Sequence, residues 1–199
     1  NLNLRKIGII LLVFSVVLTG MGINLRTPVS YAAGVVYVSN SGSDTTGDGT
    51  LAKPYATLYK AYQNVDSLGT IYVVDNIKLL ADNNKKFNLN KNVTITTAPG
   101  VDTPAVIQRD QAGTSTLLEL TNGQLTLKDI TIDGSIPGGG PVSGRIINVY
   151  AAKLIIEEGA ILRNNHLQSG LPGSAVYLSG TSKAVVEMTG GEIAGNKSL

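Results

Sequence analysis

The hydrophobic residues beyond position 33 fall in short runs that are separated by Gly, Asn, Asp, Thr and Ser. The runs are rich in β-branched residues and turn-forming residues bound them, so the pattern predicts β-strands and an all-β protein. The predicted strands cover residues 35–38, 70–74, 93–96, 105–108, 117–120, 125–127, 145–149, 154–156, 175–178 and 184–188.

One segment has a helical period instead. Tyr55, Leu58, Tyr59 and Tyr62 stand at i, i+3, i+4 and i+7, which places them on one face of a helix. The spacing predicts an amphipathic helix over about 54–66. Because a solenoid exposes apolar core and unpaired strand edges at its ends, we expect this helix to act as a cap rather than as a platform for sugar rings.

Three segments repeat one pattern, which is an apolar triplet, a polar or Gly step, a second apolar site and then Asn, Asp or Gly. They begin at Leu125, Leu154 and Val185, which are 29 and 31 residues apart. A period of this length built from short strands predicts a solenoid, and a repeat without a helix predicts a parallel β-helix. A β-sandwich, the main alternative, would not explain why the same subpattern recurs.

The N-terminal segment has a different character. Arg5 and Lys6 precede an uncharged apolar run over 7–23, and small residues occupy the first and third positions before a cut after Ala32. This order predicts a secretory signal peptide over 1–32, and therefore a secreted or cell-surface protein. A retained membrane anchor stays open as the alternative, because the run is close to the roughly 17-residue minimum for spanning a bilayer.

The net charge limits the classes of partner, and the cysteine content limits how the fold can be stabilised. Removing residues 1–32 removes three basic residues and no acidic residue, which leaves 13 Lys and Arg against 14 Asp and Glu. A nearly neutral chain without basic runs argues against nucleic acid, or a membrane after signal cleavage, as a partner. The chain has no Cys, so disulfides cannot stabilise it and a repeated core must.

The stretch "VYVSNSGSDTTGDGTLAKPYATLYKAYQNV" followed by "GTIYVV", and the later "TGGEIAGN", carry a resemblance. The chain resembles secreted right-handed parallel β-helix proteins of the pectin lyase-like superfamily, of the repeat type found on bacterial surfaces. The resemblance implies a right-handed parallel β-helix with an N-terminal capping unit over 33–75. Coils are expected over 76–199, and we expect them to continue past the last residue of this chain because "EIAGNKSL" follows directly on a repeat without a cap.

Candidate catalytic residues follow from the stacking that such a fold imposes. Equivalent residues of successive coils lie about 4.8 Å apart. The 29-residue offset places Asp129 over Glu158 and Lys128 over Glu157. A close carboxylate pair could serve glycoside hydrolysis, and His166, the single histidine, could act as a base near neutral pH. For the stacked charged residues, pairing on an exposed surface is the simpler interpretation. For His166, the simpler interpretation is a position in a turn between coils.

A calcium site is the other chemical candidate. "SGSDTTGDGT" supplies Asp44 and Asp48 at alternating positions, yet an EF-hand loop starting at Asp44 would need an acid where Tyr55 stands. We therefore expect a turn that leads from the first strand into the capping helix. Asp44 and Asp48 remain weak candidates for Ca²⁺, and no other cofactor is predicted.

Two functions remain open. The regular scaffold without a recognisable catalytic cluster favours an adhesin, stalk or glycan-binding scaffold that contacts a polysaccharide, a host surface or the cell wall. The alternative is a polysaccharide lyase or glycoside hydrolase of the pectin lyase-like fold, with its active site largely on later coils. The sequence favours the first without deciding whether the protein is an enzyme.

Overall fold

The computed structural model describes residues 34–79, 88–110, 116–168, 170–180 and 183–199. The chain divides into two units, Asn1–Ala32 and Ala33–Leu199. The first unit, and with it the predicted signal peptide, lies outside the described residues. Within the described ranges, no helix is long and apolar enough to cross a membrane.

The second unit is a parallel β-helix, and the strands in its described residues pair in parallel. Sheet I runs along its length with six strands in the order β1-β2-β5-β8-β11-β15. This sheet contains most of the strands that the sequence predicts. Its strands are β1 (Val35–Val38), β2 (Gly69–Val73), β5 (Val93–Thr97), β8 (Gln124–Lys128), β11 (Lys153–Ile156) and β15 (Val185–Met188).

Two further sheets complete each coil. Sheet II has the order β16-β12-β9-β6-β3, sheet III has the order β14-β10-β7-β4, and a short pair joins β13 to β17. The strands of sheet II are β3 (Ile77–Leu79), β6 (Val106–Arg109), β9 (Thr131–Asp133), β12 (Ile161–Arg163) and β16 (Glu192–Ala194). The others are β4 (Asn88–Leu89), β7 (Leu118–Leu120), β10 (Ile147–Val149), β14 (Val176–Leu178), β13 (His166–Leu167) and β17 (Lys197–Ser198).

The core consists of columns of inward side chains. Ile71, Ile95, Leu127 and Ile156 pair in register from one coil to the next, and none is exposed to solvent. Because side chains alternate across a strand, the residue on either side of each points outward. The predicted parallel β-helix is therefore confirmed, and its outer faces are rows of stacked side chains.

The helix α1 is shorter than predicted and spans Leu58–Asn64. Tyr55 does not belong to it, because the backbone N–H of Tyr55 donates to the carbonyl of Tyr37 at 3.0 Å and the Tyr55 carbonyl accepts from Ser39 at 2.9 Å. This pairing with β1 holds Tyr55 extended, so the helix begins only after the N-cap residue Thr57. Within the helix Leu58 and Tyr62 are buried, whereas Tyr59 is 42% exposed and so does not lie on the buried face where the sequence placed it.

Asn164 and Gly195 are turn residues at the same position of the repeats that begin at Leu154 and Val185. Asn164 has φ 59° and Gly195 has φ 62°, so both equivalent positions adopt the left-handed backbone. The next residue, Asn165, is fully buried and donates from Nδ2 to the carbonyls of Gly144 and Ser174. Asn196 accepts from the Asn165 backbone N–H at 3.0 Å, which links the two coils as an asparagine stack.

Candidate functional site

The outer face of sheet I carries an aromatic row. Tyr37 and Tyr72 are in register on β1 and β2, and the row continues through Thr96 and Lys128. Both tyrosines are half-buried, and their ring centroids lie 5.3 Å apart with an interplanar angle of 31°. Strand alternation explains their orientation, since the neighbours of each tyrosine fill the core.

A groove lies beside this row, with a volume of about 500 Å³. Tyr72, Thr96 and Lys128 line it from the sheet, and Asp129 lines it from the turn after β8. The segment 98–105, which joins β5 to β6, supplies the opposite side. From this segment, two prolines, Gly100 and the exposed carboxylate of Asp102 line the groove. The groove thus combines an aromatic ring with hydroxyl groups, one amine and two carboxylates.

Thr97 holds the loop of the groove in place. Its Oγ1 accepts from the backbone N–H of Ala105 at 2.8 Å and donates to the carbonyl of Asp129. At the other end of the loop, the backbone N–H of Ala98 donates to the carbonyl of Val73 at 2.8 Å. The loop is therefore fixed to two neighbouring coils, so the groove is preformed.

The acids that the sequence singled out occupy the end of this groove and the turn beyond it. The backbone N–H of Asp129 donates to the carbonyl of Glu158 at 3.1 Å, so the predicted stacking of these two positions is present. Both side chains are exposed. Asp129 has φ 44°, and its carboxylate oxygen occupies the space that a β-carbon at Gly159 would need. Glycine at 159 therefore permits this position of the Asp129 carboxylate.

Lys128 and Glu157 follow one another in the same row, as the sequence predicts. The backbone N–H of Glu157 donates to the carbonyl of Leu127 at 2.9 Å, which continues the register of the two strands. Within the described residues, the Lys128 amine and the Glu157 carboxylate form no ion pair. The Lys128 amine, which is exposed, is therefore available to a ligand in the groove.

His166 lies elsewhere. It is half-buried in β13, where it pairs with Lys197, and its carbonyl accepts from the backbone N–H of Val142 at 2.7 Å. It does not line the groove beside Tyr72. The structure thus brings Asp129 and Glu158 together and leaves His166 apart, while a catalytic role for any of the three stays a prediction.

Asp44 is engaged in local structure. Its carboxylate accepts from the backbone N–H groups of Ala56 and Thr57 at 2.8 and 3.0 Å, and from the Thr57 hydroxyl at 2.6 Å. These bonds place a negative charge at the start of α1. The three protein donors compete with any cation for the carboxylate lone pairs.

Asp48 forms a local turn. It accepts from the backbone N–H of Thr50 at 3.0 Å and from the Thr50 hydroxyl at 2.7 Å. The hydroxyl bond, followed by the backbone bond, lowers the pKa of the Asp48 carboxyl. Across the described ranges, no three acidic or histidine side chains are grouped as a metal site would require. Calcium binding by Asp44 and Asp48 stays a prediction.

Tyr37 and Tyr72 are the residues of the groove face that reasoning from the sequence missed. The sequence analysis considered only the helix tyrosines as a sugar platform, because they have a visible period. The sequence pattern that could have indicated Tyr37 and Tyr72 is weaker. Each tyrosine occupies the polar phase of an alternating strand, and the stacking appears only once the register of β1 and β2 is known.

Comparison with known proteins gives a match to a solved structure. No family model and no curated protein sequence matches the chain. One solved structure, described as "Rhamnogalacturonan lyase", is similar over 80% of this chain with 14% sequence identity and a TM-score of 0.46. The match covers 50% of that protein, so this chain spans about half of its length.

Proposed function

We propose that the protein is an exported β-helix that binds polysaccharide along the outer face of sheet I, as an adhesin, a stalk or a glycan-binding scaffold. The observation that carries the proposal is the pair of neighbouring rings of Tyr37 and Tyr72, of which Tyr72 lines the groove beside the 98–105 loop. A secreted or cell-surface location follows from the predicted signal peptide and belongs to the same proposal.

The chemistry of the row suits a sugar polymer. A tyrosine ring offers a flat apolar face that can cover the C–H face of a sugar ring, and its hydroxyl remains free for hydrogen bonding. Thr96 and Lys128 add a hydroxyl and an amine along the same line. Because the row follows the axis of the β-helix, it can contact successive units of an extended chain.

The partner is therefore a polysaccharide of a host surface or a cell wall, and the protein acts without a cofactor. The nearly balanced charge of the segment after position 32 supports this choice over nucleic acid or a lipid surface. The carboxylates that offer oxygen ligands for calcium are those of Asp102 and Asp129 in the groove and of Asp44 and Asp48. The experiment below includes it for this reason.

Binding to a panel of neutral and acidic polysaccharides, with and without calcium, tests the proposal. Tyr72→Ala should weaken binding at least about tenfold, as expected for an aromatic anchor. Tyr150→Ala is the matched control, since Tyr150 is 50% exposed and does not line the groove. Equal affinities of the two variants, or no binding by the unaltered protein, would reject the proposal.

An enzyme acting on polysaccharide is the second candidate, and the position of Asp129 favours it. Asp129 lines the groove next to Lys128, and Glu158 follows in the adjacent coil. A carboxylate and an amine beside a bound sugar could act as general acid and base. Release of unsaturated or reducing sugar by the unaltered protein, lost in Asp129→Asn, would establish the enzyme and overturn a purely scaffolding role.

A further inference from the structure

A second groove lies on sheet II, away from the tyrosine row. Its volume is about 300 Å³, and polar side chains from successive coils line it. Lys78, Gln108, Asp133 and Arg163 occupy one outward row in register on β3, β6, β9 and β12. Three coil steps separate Lys78 from Arg163, which is roughly 14 Å along the axis.

Asp133 lies between Gln108 and Arg163 in this row. Its Oδ1 accepts from the backbone N–H and the hydroxyl of Ser135 at 3.0 and 2.6 Å. Its Oδ2 accepts from Arg163 Nε at 2.8 Å and from Asn164 Nδ2 at 3.0 Å. Four donors thus satisfy the buried carboxylate, which leaves it little capacity to accept hydrogen bonds from a ligand.

Arg163 is oriented by this contact. Only its Nε is held by Asp133, and its side chain is 41% exposed. Within the described residues, its two terminal nitrogens donate to no protein acceptor, while Arg163 itself lines the groove. A guanidinium fixed through one nitrogen presents the others as a fork that fits a carboxylate or sulfate.

Beside the apolar side chains of Ile77 and Val106, the remaining side chains that line the groove carry hydrogen-bond donors. Asn76 Oδ1 is occupied by the backbone N–H of Val106 at 2.8 Å, so its Nδ2 group is left for the groove. Gln108 and Asn40 contribute further side-chain amides. Lys78 contributes a second positively charged group. Its amine pairs with Asp110 at 3.1 Å, and its side chain is 62% exposed. The Lys78 side of this pair is exposed to solvent, although Asp110 is not, so the Lys78 ammonium group can also contact a ligand in the groove.

We propose that the sheet II groove binds a carboxylate or sulfate group, held by Arg163 and supported by Lys78 and the amides of Asn76 and Gln108. The group can be part of an acidic sugar chain lying along the row or a small free anion. The inference is independent of the sheet I proposal, because it uses none of the residues of that groove.

Amide shifts in the full chain, followed by NMR during titration, test this. The probes are inorganic sulfate, monomeric galacturonate, an oligogalacturonate and a neutral oligosaccharide. We expect the anions to shift amides of β6, β9 and β12 and the neutral sugar not to do so there. Preference for the oligomer would identify a polymer-borne carboxylate, and equal affinity for sulfate would identify a small-anion site.

Substitutions test whether the anions bind in the sheet II groove. Arg163→Lys keeps the charge but removes the fork and should weaken oligogalacturonate binding about tenfold. Lys78→Gln should weaken it several-fold, while the matched control Lys197→Gln, which removes an exposed charge elsewhere, and Tyr72→Ala should leave it unchanged. Equal loss in Lys197→Gln, shifts confined to other strands, or equal binding of the neutral sugar in this groove would overturn the proposal.

Discussion

Arg109 occupies an inward position of the coil, in register with Leu79 on the neighbouring strand, and is fully buried. It donates to the carbonyls of Gly134, Gly144 and Arg145 and to Asn165 Oδ1 at 3.0 to 3.1 Å. These carbonyls belong to the two ends of the 134–145 segment, so one side chain fastens the glycine-rich excursion between β9 and β10. Burial lowers the pKa of Arg109 to about 10, which keeps the guanidinium charged at neutral pH.

Asp133 makes stability depend on pH. Burial raises the pKa of its carboxyl, but hydrogen bonds from Ser135, Arg163 and Asn164 outweigh this and lower it below the ordinary value of 3.8. The unfolded chain therefore binds this proton more readily than the folded protein. The stabilisation is fully present above about pH 4 and is lost as the pH falls through the folded-state pKa.

The test is the free energy of unfolding of the protein and of Asp133→Asn between pH 7 and pH 2.5. The unaltered protein should be more stable at pH 7, and the two values should converge below about pH 4. Glu192→Gln, which removes an exposed acid, should follow the unaltered curve. A difference between Asp133→Asn and the unaltered protein that stays constant across the range would contradict the assignment.

At the scale of elements, Asp44 decides how the capping helix begins. Its carboxylate binds two backbone N–H groups ahead of α1 and the hydroxyl of the N-cap Thr57, whose Oγ1 in turn accepts from Lys60 N at 3.1 Å. Helix termini leave backbone N–H groups without helical partners, and this network satisfies those of Thr57 and Lys60 as well as that of Ala56, which precedes the cap.

Asp44→Ala should therefore lower the free energy of unfolding by about 1–2 kcal/mol and accelerate amide hydrogen exchange at residues 56–60. Asp48→Ala, which removes an exposed turn contact, should cause a smaller loss and leave exchange in α1 unchanged. Chemical denaturation with exchange mass spectrometry measures both. Equal effects of the two variants would show that Asp44 does not cap the helix.

The strands of sheet I and the three-residue strands β7, β10 and β14 could be predicted from the sequence, but the two-residue strands could not. The strands of sheet I have enough alternating residues to show their period, which is why all were anticipated within a few residues. Strands such as β13 and β17 have two residues each and no period of their own. They exist because coils already held in register bring their backbones together. The start of α1 was misplaced for a similar reason, since pairing of Tyr55 with β1 overrides the helical pattern.

At the scale of the molecule, stability should vary along the axis because each coil contacts only its neighbours. Leu127 is fully buried between Ile95 and Ile156, whereas Val186 in the last strand of sheet I is only partly buried. That last strand exposes Val185 and Met188 by 44% and 49%. The loss of stability caused by a cavity-forming substitution therefore depends on the coil that contains it.

Leu127→Ala should cost about 2–5 kcal/mol and increase amide exchange in β5 and β11 as well as β8. Val186→Ala should cost less than about 1 kcal/mol, with exchange changes limited to β11 and β15. Urea unfolding and exchange mass spectrometry provide the measurement. A global, equal loss of protection in both variants would mean that the coils unfold as one unit rather than as coupled neighbours.

The sequence by itself determined the strand type, the repeat of about thirty residues and the all-β solenoid, because alternation and period are local properties of the chain. It also determined that Asp129 and Glu158 stack, since a constant offset fixes the register. Only the tertiary structure decided that Tyr37 faces Tyr72, that Asp133 orients Arg163 and that Arg109 fastens a loop. These contacts join residues about 30 positions apart. The number of positions between two contacting residues changes with the length of the turns between them. That length affects which residues meet only once the coils are closed.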